Sequence, residues 1–198
     1  MDQKETKTPK RQITIAGKNG AGKSTVNKLL CEAFPDYDSY SAGDFFRSIG
    51  VEKGLTLEQV GAEAKEDLTI DEMVDAKTRS LRDQEGFILD SRIGFYFLPD
   101  AFTVFLDCPE DIAAARIVKN AHQEKGRAGQ TVGTLEEEIE KIQVRHRVDS
   151  ERYRELYGIE NNFDHKHFDL VIDTSVITPE EVRDQIIEAY EKHLGKKS

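Results

Sequence analysis

A chain of 198 residues has the length of a single domain with a sizeable buried core. Its formal net charge of −10, with 33% charged residues, argues against nucleic acid as a main ligand, because phosphate backbones are bound by clustered cations. The two cysteines, Cys31 and Cys108, lack metal-ligand spacing, and no apolar run approaches the ~18 residues of a membrane span. We therefore expect a cytoplasmic monomer with neither nucleic-acid nor membrane partners.

The first eleven residues are polar throughout and lack the apolar centre of a signal peptide. We expect residues 1–11 to form a disordered tail. Residues 12–195 show no internal repeat and are expected to form one domain.

A glycine-rich stretch follows the first apolar run. Residues 17–24 read G-K-N-G-A-G-K-S and fill the pattern G-x-x-x-x-G-K-[ST], in which backbone N–H groups surround phosphate oxygens. The β-branched run at 13–15 and the apolar spacing from 26 to 33 predict the strand and the helix that this phosphate-binding loop (P-loop) requires. Lys23 is expected to reach the β/γ-phosphates of ATP and Ser24 to bind Mg²⁺. The predicted ATP-binding residues are Gly17, Asn19, Gly20, Ala21, Gly22, Lys23, Ser24 and Thr25.

Four further strands are predicted, at residues 37–41, 87–90, 102–107 and 169–173, with helical patterns between them. Strands that alternate with helices form a parallel sheet covered on both faces. The pattern therefore predicts an α/β fold with three layers around a five-stranded parallel sheet. Ligands of such sheets bind at the carboxyl ends of the strands.

Helix starts are marked by capping boxes at Thr56, Thr69 and Thr178, the last followed by Pro179 at the first helical position. The first two lie within residues 44–84, which are predicted to form a helical insertion between strands. A glycine-rich stretch at 122–133 is predicted to be mobile. It leads into a helix predicted over 135–157 from its apolar spacing.

Arginines recur near the predicted strand ends, where their planar guanidinium groups suit bidentate binding of phosphate. Arg47 and Arg92 are predicted to bind a second phosphate ligand beside ATP. Asp90, at the end of the third strand, is a candidate to hold Mg²⁺ through water. The other arginines expected at the crevice are Arg116, Arg145, Arg147, Arg152 and Arg154.

Five motifs occur in a characteristic order: the P-loop, Ser41-Ala42-Gly43 with Arg47, Asp90-Ser91-Arg92, Leu106-Asp107-Cys108-Pro109, and S-E-R-Y-R-E-L-Y-G-I at residues 150–159. This order resembles the nucleoside monophosphate kinases, and most closely the small, archaeal-type cytidylate kinases. The resemblance implies a three-layer P-loop fold that transfers the γ-phosphoryl group of ATP to a nucleoside monophosphate, CMP or dCMP. It also implies an acceptor-binding insertion at 44–84 and a lid at 119–148.

The resemblance assigns roles to individual residues as well. The implied Mg²⁺ ligands are Ser24 and Asp90. Three positions depart from the family pattern: Ser91 replaces a usual glycine, and Lys18 and Asn19 stand where proline and serine are common. The implied catalytic residues are Lys23, Arg116, Arg145, Arg147 and Arg152. The implied acceptor-binding residues are Ser41, Gly43, Asp44, Arg47, Asp71 and Arg92.

The residues leave alternative functions open. A kinase of the same fold would transfer the phosphoryl group to AMP or to a hydroxyl compound. A hydroxyl acceptor would need a general base, for which Asp44 is the candidate. A nucleotide-gated protein that hydrolyses ATP slowly would need no second phosphate ligand, so the arginines outside the P-loop argue against it.

Overall fold

The computed structural model describes residues 10–55, 59, 69–125 and 133–195, without the side chains of 123–125. Most of the predicted tail, the capping box at Thr56 and most of the glycine-rich stretch lie outside these ranges.

Five parallel strands form one sheet with the order β2-β3-β1-β4-β5. The P-loop follows the central strand, so it opens at the middle of the sheet's carboxyl edge. This confirms the predicted five-stranded parallel sheet. The strands are β1 (Gln12–Gly17), β2 (Asp38–Ser41), β3 (Phe87–Asp90), β4 (Phe102–Asp107) and β5 (Leu170–Asp173).

Helices connect the strands, as a parallel sheet requires. In the described residues they are α1 (Lys23–Ala33), α2 (Ala42–Glu52), α3 (Thr69–Ser80), α4 (Gly94–Phe97), α5 (Glu110–Lys125), α6 (Leu135–Tyr157) and α7 (Pro179–His193). A 3₁₀ turn at His165–His167 precedes β5. The four-residue helix α4 was not predicted, because one turn is too short to show a helical period.

The core lies between the central strands and helices α1 and α7. Ile13, Ile15 and Val104 on neighbouring strands have no exposed surface, and they pack in one cluster with Leu30 of α1 and Ile186 of α7. Continuous apolar burial on both faces is the pattern of a central parallel strand. The rigid sheet therefore fixes the positions of the strand ends.

The N-terminus of α7 is closed by the predicted capping box. The Thr178 hydroxyl accepts a hydrogen bond from Glu181 N at 3.2 Å, and the Glu181 carboxylate accepts one from Thr178 N at 2.7 Å. Thr178→Ala is therefore expected to lower the free energy of unfolding by about 1 kcal/mol. Urea unfolding would show a lower midpoint with an unchanged m-value. Thr178→Ser keeps the hydroxyl and serves as the control, and equal midpoints for the two variants would contradict the prediction.

Helix α6 ends in a left-handed glycine. Gly158 has φ +67° and its N–H donates to Arg154 O at 3.0 Å, while Ile159 N donates to Tyr153 O at 3.3 Å. Only glycine adopts this conformation without steric cost. The turn returns Ile159 to the apolar cluster that contains Tyr153. The end of α6 is thereby fixed to the body of the protein.

Candidate active site

The P-loop curves from the end of β1 to the first turn of α1. Gly20 has φ +77°, and a Cβ atom on it would lie 2.6 Å from the carbonyl oxygen of Ala113 in α5. A side chain at this position would therefore clash with backbone. Ser24 and Thr25, in the first turn of α1, have exposed side chains. The loop thus has the backbone shape that phosphate binding requires.

Lys23 is held by the loop itself. Its Nζ donates to the carbonyl oxygens of Gly17 at 2.9 Å and Lys18 at 3.1 Å. Burial lowers the pKa of Lys23 to about 8; Asp90 opposes this shift, and Arg92 and Arg145 add to it. Lys23 is therefore mainly protonated at pH 7, and its electrostatic neighbours are the groups that the sequence predicted around it.

Asp90 ends β3 beside the P-loop strand, and its register partner in β1 is Ile15. Burial raises the pKa of Asp90, while Lys23 and Arg92 act in the opposite direction. A carboxylate at this position and the Ser24 hydroxyl are hard oxygen donors of the kind that Mg²⁺ takes together with phosphate oxygens and water. Among the described residues, no group of three or more His, Cys, Asp or Glu side chains could hold a metal ion alone.

Three of the predicted arginines lie around one buried carboxylate, that of Asp149. Asp149 Oδ2 lies 3.1 Å from Arg92 Nη1 and 3.9 Å from Arg145 Nε, and its Oδ1 lies 3.6 Å from Arg152 Nη2. Arg145, Asp149 and Arg152 share one face of α6 because they are spaced four and three residues apart. We call Arg92, Arg145 and Arg152 with Asp149 the arginine cluster. Two of its arginines, Arg92 and Arg145, are near enough to Lys23 for their charge to lower its pKa.

The arginine cluster is tied to two other elements. Arg92 Nη2 donates to Asn19 Oδ1 in the P-loop. Arg152 Nη1 lies 3.4 Å from Asp71 Oδ1 of α3. Burial raises the pKa of Asp71, which Arg152 opposes and Asp149 reinforces. The cluster therefore lies between the P-loop and the predicted acceptor-binding insertion.

The start of α2 lies near Asp90, at the same edge of the sheet. The Ser41 hydroxyl accepts from Asp44 N at 3.3 Å, and the exposed Arg47 forms an ion pair with Asp44. A Cβ atom on Gly43 would lie 3.4 Å from both Arg47 Nη1 and Ser41 Oγ. Asp44 and Arg47 both influence the pKa of Asp90. The predicted acceptor residues 41–47 and 90–92 are therefore neighbours.

Two predicted catalytic arginines lie apart from the cluster. Arg116 donates from Nη2 to Thr174 O at 2.6 Å and to Ser175 O at 3.3 Å, so its guanidinium group is held by the turn after β5. Arg147 is exposed on α6, about 200° around the helix axis from Arg145. The structure does not bring Arg116 or Arg147 into the arginine cluster.

Two contributors to the site were missed from the sequence. They are Asp149 and the ion pair between Lys18 and Asp107. The Thr174 hydroxyl also contributes, by donating to Ala21 O of the P-loop at 3.2 Å. The position of Asp149 between Arg145 and Arg152 on one helical face was an available signal. The contacts of Asp107 and Thr174 cross between strands and could not be read locally.

None of the helices in the described ranges combines the length and the apolar character that a membrane crossing requires.

Both the sequence and the fold of this chain are similar to those of known kinases. A family profile described as an AAA domain matches residues 13–145. A cytidylate kinase of Sulfurisphaera tokodaii is 35% identical over 90% of this chain and 93% of its own length. A cytidylate kinase of Haloquadratum walsbyi is 32% identical over 89% and 87%.

A longer relative contains a similar segment. An S-adenosylmethionine-dependent nucleotide dehydratase of Lacinutrix mariniflava is 34% identical over 92% of this chain, which spans only 36% of that protein. The similarity is therefore confined to one part of the dehydratase.

Solved structures show the same architecture. Shikimate kinase from Aquifex aeolicus superimposes with a TM-score of 0.55 at 18% identity, covering 94% of this chain and 99% of that chain. A gluconokinase from Sinorhizobium meliloti gives 0.53 at 14% identity, covering 96% and 95%. These likenesses show the three-layer P-loop kinase fold. With the full-length similarity to archaeal enzymes, they show that the chain belongs to the cytidylate kinase family.

Proposed function

We propose that this protein transfers the γ-phosphoryl group of ATP to CMP, giving ADP and CDP. The observation that carries the proposal is that two sets of cations adjoin one P-loop: Lys23 within the loop, and the arginine cluster, whose Arg92 donates to Asn19 of the loop and lowers the pKa of Lys23. Two phosphate ligands need two such sets, whereas a protein that only hydrolyses ATP needs one. The relatives named cytidylate kinase support CMP as the acceptor, with dCMP as the closest variant.

The chemistry suits these side chains. An acceptor phosphate oxygen attacks the γ-phosphorus, and the bond from that phosphorus to the β–γ bridging oxygen breaks. The second pKa of a phosphate monoester is near 6, so the attacking oxygen is already anionic at pH 7 and needs no base. Positioning and charge neutralisation dominate such a transfer. Arg92 and Arg152 supply the charge for this step, and each guanidinium group has a buried Nε–H without a hydrogen-bond partner in the described residues.

Mg²⁺ is proposed as the accompanying ion. Ser24 and Asp90 would hold it, Asp90 through water, and the phosphates would complete its oxygen ligands. The ion would neutralise charge on the β- and γ-phosphates.

We also propose two segments that close around the substrates, an acceptor-binding insertion and a lid. The acceptor-binding insertion would span 44–84 and the lid 119–148; residues 56–58, 60–68 and 126–132 of these segments lie outside the described ranges. The net charge of −10 supports a monomer without nucleic-acid partners. We propose the cytoplasm as the place where it works.

A substrate panel tests the function directly. ATP-dependent diphosphate formation would be measured with CMP, dCMP, UMP, AMP and GMP, each with and without Mg²⁺. We expect the highest kcat/KM with CMP or dCMP and dependence on the ion. A preference for AMP, or ATP hydrolysis unaffected by every monophosphate, would overturn the proposal.

A hydroxyl acceptor is the rival with the same fold. Asp44 is the candidate base, and its exposed side chain pairs with Arg47. A hydroxyl acceptor needs such a base, whereas a phosphate acceptor does not. Asp44→Asn is therefore expected to leave kcat with CMP nearly unchanged. A loss of about 100-fold or more, the size of a general-base contribution, would favour the rival.

Arg145 and Arg147 are expected to differ sharply. Arg145 lies in the arginine cluster and influences the pKa of Lys23, whereas Arg147 lies on another face of α6. Arg145→Ala should lower kcat by about 10-fold, the value of one charge-assisted hydrogen bond. Arg147→Ala is the matched control on the same helix, with kcat expected within about 2-fold of the wild-type value. Equal losses of kcat in the two variants would show that Arg147 also acts on the site, in an arrangement of α6 that differs from this one.

A further inference from the structure

The second residue of the P-loop forms an ion pair with the neighbouring strand. Lys18 Nζ lies 3.1 Å from Asp107 Oδ1 at the end of β4. Gly17 and Leu106 are register partners in β1 and β4, and Lys18 and Asp107 directly follow them in the chain. Both side chains are largely buried, with 25% and 33% of their surface exposed. Partial burial protects such a pair from screening by salt.

Asp107 is itself held in place. Its Oδ1 accepts from Cys108 N at 2.9 Å, and its carbonyl oxygen accepts from Thr174 N at 2.9 Å. The Thr174 hydroxyl adds a bond to the same carbonyl at 3.0 Å. On the other side, Asp107 Oδ2 lies 3.9 Å from His165 Nε2. The carboxylate is therefore a fixed anchor on the rigid sheet.

Lys18 is also the residue whose backbone holds Lys23. Lys23 Nζ donates to Lys18 O at 3.1 Å, and Ala21 N donates to the same oxygen at 3.3 Å. The orientation of the Lys18 carbonyl group thus helps to set where the Lys23 ammonium group lies. A fixed Lys18 side chain limits the rotation of that backbone unit.

We propose that Lys18 is a positioning residue for phosphoryl transfer, and that its ion pair with Asp107 fixes the P-loop so that Lys23 meets the transferred phosphoryl group. The inference rests on the proposed function only in taking Lys23 as the cation at that group. Lys18 forms no covalent bond in this role. A displacement of about 1 Å at a catalytic group is enough to cost up to about 100-fold in rate.

A double-mutant cycle tests the positioning role. Lys18→Met, Asp107→Asn and the double variant would be compared for kcat and for KM of ATP. We expect about a 10-fold loss of kcat in each single variant, no further loss in the double variant, and KM for ATP within about 3-fold of the wild-type value. Lys18→Arg should restore most of the rate. Lys28→Met, an exposed lysine on α1, is the control for the substitution itself.

Three results would overturn the proposal. A low kcat in Lys18→Met with a normal kcat in Asp107→Asn would make Lys18 a direct phosphate ligand instead. Losses that multiply in the double variant would show two independent roles. A normal kcat in both single variants would remove any role. Thermal unfolding of each variant separates these results from misfolding.

A second cycle asks whether Lys18 acts through Lys23. In a Lys23→Ala background, Lys18→Met is expected to cause no further loss of kcat, and a full additional loss would contradict the proposal. Both cycles use the best acceptor of the substrate panel. If CMP fails in that panel, the proposed acceptor is wrong, while the coupling of Lys18, Asp107 and Lys23 is still measured with the acceptor that succeeds or with ATP hydrolysis.

Discussion

Lys23→Ala is expected to lower kcat by at least about 100-fold, the loss seen when one preorganised donor is removed from developing charge. Lys23 is held by two P-loop carbonyl oxygens, at 2.9 Å from Gly17 O and 3.1 Å from Lys18 O, so its charge needs no rearrangement before the reaction. Burial strengthens its electrostatic interactions. Steady-state kinetics at saturating ATP and CMP would give the value, and thermal unfolding would show that the variant is folded.

The control for this prediction lies on the same helix. Lys28→Ala removes an exposed lysine one turn further along α1 and should leave kcat within about 2-fold of the wild-type value. If Lys23→Ala retained a near-normal kcat, the P-loop would not be the site of transfer.

Arg92→Ala is expected to raise KM for CMP by about 10- to 100-fold, because hydrogen bonds to charged groups contribute about 1.5–3 kcal/mol. Arg92 joins the P-loop to the arginine cluster through Asn19 and Asp149, and its side chain is only 16% exposed. KM for ATP should change by less than about 3-fold. Initial rates over a grid of both substrates would separate the two constants.

Two further variants sharpen this test. Arg92→Lys keeps the charge but loses the planar fork, so KM for CMP should remain raised. Arg47→Ala should act in the same direction with a smaller effect, since Arg47 is exposed and pairs only with the exposed Asp44 in the described structure. A KM for ATP that rises as much as the KM for CMP would show that Arg92 serves the donor rather than the acceptor.

Much of the fold could be predicted from local patterns. The strand at 87–90 and the strand at 102–107 have the predicted bounds, and β2 and β5 each begin one residue later than predicted. Short apolar runs that end in turn residues indicate the buried strands of a parallel sheet. The α4 turn gave no such signal. The pairing order of the strands depends on contacts between distant segments.

The part of the site that one short stretch of chain forms could be predicted, whereas contacts between distant segments could not. The P-loop combines backbone N–H groups with the side chains of Lys23 and Ser24 within one short stretch, so eight consecutive residues were enough to predict a phosphate site. Arg145 and Arg147 look equivalent in the sequence, and only the helical face separates them. Arg116 was predicted to be catalytic, but its hydrogen bonds to the turn after β5 depend on a segment nearly sixty residues away. The sequence could not indicate that contact.

The glycine that ends α6 shows that a sequence signature can reflect the fold as well as the chemistry. In the stretch from Ser150 to Ile159, Arg152 belongs to the arginine cluster, whereas Tyr153, Gly158 and Ile159 build the corner that returns the chain to the core. Much of this stretch thus serves the fold. A descendant enzyme could exchange its acceptor by altering α2 and α3 while this signature stayed intact. Motif searches built on it would then report common ancestry and architecture, and the acceptor would have to be inferred from the crevice walls.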